Sequence, residues 1–71
     1  MTIIEQIKPY AQIQDSHGAI ATIYFFDDQA HEVQYSDNTG VRFYTEKFDH
    51  IPIEMVEQSV MDWATGKREL L

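Results

Sequence analysis

The chain contains no cysteine, two prolines, three glycines and only five basic residues among its 71. Without cysteine there is neither a disulfide framework nor a thiolate zinc site. With so few glycines there is no glycine-rich loop to cradle a phosphate. Ser16, Ser36 and Ser59 lack the flanking glycines of a nucleophile elbow, so no enzymatic role is expected. No cofactor is called for either.

No apolar run approaches the ~20 residues that a membrane span needs. The opening MTIIEQIKPY places Glu5 and Lys8 where a signal peptide requires an uninterrupted apolar stretch, so a cytoplasmic location is expected. Twelve acidic residues against the five basic ones give a formal charge of −7. A negative field disfavours direct contact with nucleic acid or an anionic membrane and leaves neutral or basic proteins as partners.

The composition is globular, with 44% hydrophobic and 24% charged residues. The whole of 1–71 is read as one small domain. A domain of this size removes only about 60% of its unfolded surface from water, and small cores without disulfides or metals often lean on a second subunit.

Three breaks each open with aspartate: Asp15-Ser16-His17-Gly18, Asp27-Asp28-Gln29-Ala30 and Asp37-Asn38-Thr39-Gly40. Aspartate accepts hydrogen bonds from backbone two residues on, and glycine in the last place adopts the positive φ that closes a hairpin. Apolar, β-branched and aromatic runs fill the intervals. The spacing predicts an antiparallel meander with strands near 19–26, 31–36 and 41–48.

Register is argued from matching faces, because a slip of one residue turns a strand over. Val33 beside Phe43 and Tyr35 beside Val41 put apolar against apolar. Glu32, Gln34 and Ser36 then share the opposite face with Arg42, Tyr44 and Glu46. Extended to the first strand, this places Tyr24 beside Val33 and Thr22 beside Tyr35. The expected core aromatics are Tyr24, Phe26, Tyr35, Phe43, Phe48 and Trp63. Ile23, Phe25 and Tyr44 are left as an apolar patch on the far face, bordered by Glu32, Gln34 and Arg42. That patch needs a cover, either an N-terminal helix or a second molecule.

After Phe48 the period changes. Ile53, Val56, Val60, Trp63 and Ala64 recur at helical spacing, with Glu54, Glu57, Gln58 and Asp62 largely opposite. Pro52 suits the start of this helix, and Gly66 ends it ahead of Lys67 and Arg68. At the N-terminus, Thr2 and Glu5 have capping-box spacing and Ile3, Ile4 and Ile7 form an apolar edge, so a short helix is expected. Pro9 interrupts it. Residues 10–14 read as a kinked continuation, a second short helix or a fourth strand, a short helix followed by an irregular or extended segment being favoured. The fold class is therefore α+β: a meander of three strands, extendable to four, with a short N-terminal helix and a C-terminal helix packed on the sheet.

Each histidine lies near an aspartate, and the meander brings His31, His50, Asp27, Asp28 and Asp49 to one end of the sheet. No two histidines have the spacing of a helical metal motif, so ordinary turn composition is the preferred reading. The expected role is a non-catalytic, homodimeric protein-binding module. It would act through the patch of Ile23, Phe25 and Tyr44 or through the free edge of the Thr22–Phe26 strand. The alternative is an acidic inhibitor that presents Glu54 and Glu57 to a basic nucleic-acid-handling protein, in the manner of a phosphate array.

Overall fold

A computed structural model describes residues 9–26 and 30–70. Four strands run β1 Pro9–Gln14, β2 Ile20–Phe25, β3 Ala30–Ser36 and β4 Arg42–Asp49, followed by one helix, α1 Ile53–Ala64. The strands form a four-stranded antiparallel sheet in sequence order. The α+β architecture with its C-terminal helix matches the sequence reading. Residues 10–14 form the fourth strand that the sequence leaves open, so the sheet has four strands rather than three. The expected helix at Thr2 to Ile7 lies outside the described residues, as do Asp27 and Asp28.

The first and third turns are the same device. In each, the aspartate N–H donates to the carbonyl four residues on, Asp15 to Ala19 at 2.9 Å and Asp37 to Val41 at 2.9 Å. The aspartate carbonyl accepts from the glycine three on, and Gly18 and Gly40 hold φ of 87° and 91°. Each carboxylate then caps its own turn. Asp15 Oδ1 accepts from His17 N and Ala19 N, and Asp37 Oδ1 from Thr39 N and Val41 N. The two turns touch: a Cβ on Gly18 would lie 3.1 Å from the Cβ of Asn38.

The register differs from the expected one in both central hairpins. Between β2 and β3, Ile23 stands opposite Val33 and Ala21 opposite Tyr35. The second turn is closed by Phe26 N donating to Ala30 O at 3.1 Å, which moves the pairing by one residue and exchanges the two faces of β2. Ile23 is thus fully buried in the core and not on an outer patch, while Phe26 is 47% exposed. The small Ala21, flanked by Ile13, leaves room for α1 to approach.

Between β3 and β4, Tyr35 stands opposite Tyr44 and Val33 opposite Glu46, whereas Ser36 pairs with Arg42. Phe43 is the extra residue of a β-bulge. That insertion turns Tyr44, Glu46 and Phe48 toward the helix and leaves Phe43 and Val41 exposed. Phe43 therefore leaves the expected core, and Tyr44 joins the core side.

The core is Ala21, Ile23, Val33 and Tyr35 from the sheet with Val56 and Val60 from α1, all fully buried. Ile53, Phe48 and Trp63 pack around it. The ring of Trp63 meets Tyr35 edge-on at 4.9 Å. Pro52 is the N-cap of α1, its carbonyl accepting from Met55 N and Val56 N. At the other end Gly66, at φ 85°, forms a Schellman turn: Lys67 N donates to Asp62 O at 2.7 Å and Gly66 N to Trp63 O at 3.1 Å. This turn sends the tail back toward the sheet.

Candidate functional site

The returning tail places Arg68 over the end of β3 and β4. Its Nη1 and Nη2 donate to the two oxygens of Glu46 at 3.0 and 3.1 Å, Nη2 donates to the Tyr35 hydroxyl at 2.9 Å, and Nε donates to Ser59 O at 3.0 Å. The Tyr35 hydroxyl in turn donates to Glu46 Oε1 at 2.9 Å. Burial, and then the neighbouring Glu46 carboxylate, push the Tyr35 phenol above its ordinary range. The hydrogen bonds to Glu46 raise Arg68. This network explains how Glu46 sits on the helix side of the sheet: its charge is paired and its lone pairs are used.

Beside the network lies a shallow open groove of about 440 Å³ lined by Phe43, Trp63, Gly66, Arg68, Glu69 and Leu70. Phe43 is 52% exposed and Val41, at the end of the same hairpin, 61%. Among the described residues this is apolar surface next to an open sheet edge.

The opposite end of the molecule holds an aromatic group. Phe25 stacks on Tyr10 at 6.1 Å and tilts against His31 at 5.1 Å. A bulge near Tyr10 lets its hydroxyl reach α1 and donate to Glu57 Oε1 at 3.0 Å, and that bond, with the charge of Glu57, raises the Tyr10 phenol. Phe25, 37% exposed, closes the rim of the core.

Of the five expected contact residues, the structure thus places Ile23 inside the core and Tyr44 on the core side against Tyr35, at 5.9 Å. Phe25 lies at the core rim, and Glu57 is engaged by Tyr10. Glu54 is exposed on α1. They do not form one surface, and β2 has no free edge because β1 covers it. The cause is register: the sequence pattern treated Glu46 as an outward residue, and neither the bulge at Phe43 nor the partnership of Glu46 with Arg68 is written in local periodicity.

His31 is also placed differently from expectation. It is 2% exposed, its Nε2 hydrogen-bonded to Ile51 O at 2.9 Å, and its Nδ1 has no partner. An acceptor carbonyl requires a proton on Nε2, so the imidazole serves as a core group that pins the β4–α1 loop. His50 takes φ 61° in that loop. Among the described residues, no three His, Asp or Glu side chains come together as a metal site.

The two sheet edges are unlike. β1 has six residues, begins with Pro9 and carries a bulge, all features that discourage further pairing. β4 has eight residues and no proline, and Thr45, Lys47 and Asp49 are exposed along it. Among the described residues no helix is long and apolar enough to cross a membrane. Compared with protein-family models, with curated protein sequences and with solved structures, the chain matches none.

Proposed function

We propose that this protein is a small, acidic, non-catalytic protein-binding module that works as a homodimer. The observation that carries this reading is the exposed apolar surface of Val41 and Phe43, beside the groove lined by Trp63 and Leu70 and along the edge of β4 that no other described strand pairs. Apolar surface next to open backbone groups is what a partner chain covers. The small core, with six fully buried hydrophobic residues among those described, gives a second subunit something to add. Multi-angle light scattering over a micromolar concentration series tests it. A mass twice the 8.3 kDa of the chain is expected, and a constant single-chain mass overturns the dimer.

One observation favours the acidic-inhibitor reading as a second possibility: α1 contains Glu54, Glu57 and Asp62 and no lysine or arginine. The engagement of Glu57 by Tyr10 leaves a sparse array, which ranks it below the first. Under this reading, capture of a basic partner is lost at high salt and in the Glu54→Gln/Glu57→Gln variant, whereas an apolar contact survives both.

A further inference from the structure

We infer that two copies join through β4, antiparallel, about a twofold axis perpendicular to the sheet, giving one eight-stranded sheet with both helices on the same face. The inference rests on the homodimer reading and names its surface. Among the described residues β4 is the open edge, whereas Pro9 and its bulge discourage pairing at the other.

The bulge at Phe43 makes β4 complementary to itself. Arg42 pairs with Ser36 on one side of the bulge, and Thr45, Lys47 and Asp49 pair with Gln34, Glu32 and Ala30 on the other. All four therefore lie on the face away from α1. In an antiparallel ladder every second residue turns its N–H and C=O outward. The Asp37 to Val41 bond fixes the phase, and Arg42, Thr45, Lys47 and Asp49 are the outward set.

With Glu46 on the axis, this outward set pairs with itself. Arg42 of one copy faces Asp49 of the other, and Thr45 faces Lys47, each pair occurring twice. On the helix side Tyr44 faces Phe48. Only Glu46 meets its own copy, and each Glu46 is already neutralised by Arg68.

Global charge supports the same edge. A chain of charge −7 repels its copy over most of its surface. Four of its five basic residues, Arg42, Lys47, Lys67 and Arg68, lie in β4 or the tail beside it. A self-contact is least opposed there.

Two kinds of variant test the inference by sedimentation equilibrium, with circular dichroism as the check on folding. Lys47→Pro removes an outward N–H that β3 does not use, and is expected to abolish the dimer. Arg42→Asp alters an exposed side chain and sets like charges opposite each other twice. It is expected to weaken association by about tenfold, and Arg42→Asp/Asp49→Arg is expected to restore it. If Lys47→Pro misfolds, the charge pair decides alone. A dimer indifferent to Arg42→Asp refutes the β4 interface while leaving the homodimer intact. A wild type that is monomeric throughout refutes both.

Discussion

Arg68 and Glu46, 22 residues apart in the chain, are joined by two nitrogen–oxygen contacts of 3.0 and 3.1 Å on the helix side of the sheet. Through them the tail after α1 is tied to β4, and the inward turn of β4 is made affordable. Replacing Arg68 by Met leaves Glu46 with only the Tyr35 hydroxyl in a partly buried position. The expected loss is about 1–3 kcal/mol, toward the lower end because the guanidinium keeps 27% exposure to solvent. Urea denaturation of the variant against wild type measures it.

The same network controls Tyr35. Its folded-state pKa is raised, so the un-ionised phenol is the form the fold favours. The corresponding stability is fully present below the ordinary value of 10.0 and is lost as pH rises through the higher folded value. Phenolate absorbance during an alkaline titration is expected to show one tyrosine that ionises only with unfolding. Its ionisation near the ordinary value, with the fold intact, contradicts the burial described.

Asp37 has the opposite sign. The Thr39 hydroxyl, then the Val41 and Thr39 amides, hold its carboxyl below the ordinary value of 3.8. Its contribution is present above that value and is lost as pH falls through the lower folded value. Asp37→Ala is expected to lower the denaturation midpoint at neutral pH and to reduce the loss of stability on acidification. Asp37→Asn, which retains an acceptor oxygen, is expected to recover part of the midpoint.

The face assignment of β2 has its own check. Ile23→Ala empties a fully buried position and is expected to cost about 2–5 kcal/mol, whereas Thr22→Ala on the opposite face is expected to stay within about 0.5 kcal/mol. Equal effects, or the reverse order, contradict the register. For the same reason Phe25→Asp is a poor probe of any interface, since it disturbs the Tyr10 and His31 contacts at the core rim.

The legible parts of this fold were those with local causes. The Asp-x-x-Gly turns, the helical period from Ile53 to Ala64 and the stop at Gly66 each follow from neighbours in the chain. Strand pairing was not legible. The apolar residues of β2 occupy both parities, so the pattern 20–26 does not choose a face, and the pairing closed by Phe26 N and Ala30 O makes the choice. In β4 the choice fell to one inserted residue, Phe43, and to a charge partner, Arg68, that arrives from beyond the helix. At 10–14 the local signals leave helix and strand open, because Pro9 suits the start of either. The grouping of Ile23 with Phe25 and Tyr44 on one outer face depends on the expected register and is absent from the observed one, and the β4 edge follows from strand order, which local pattern does not set.

The absence of cysteine permits one direct measurement of the proposed dimer. Thr45→Cys and Lys47→Cys single variants are prepared separately, then mixed and mildly oxidised. Directly paired residues across the twofold axis lie at ~5.5 Å between Cα atoms, within disulfide reach. The mixture is predicted to yield a covalent dimer of twice 8.3 kDa, and either variant alone far less. No covalent dimer in the mixture, or equal amounts from the single variants, would contradict the pairing of β4 with its copy.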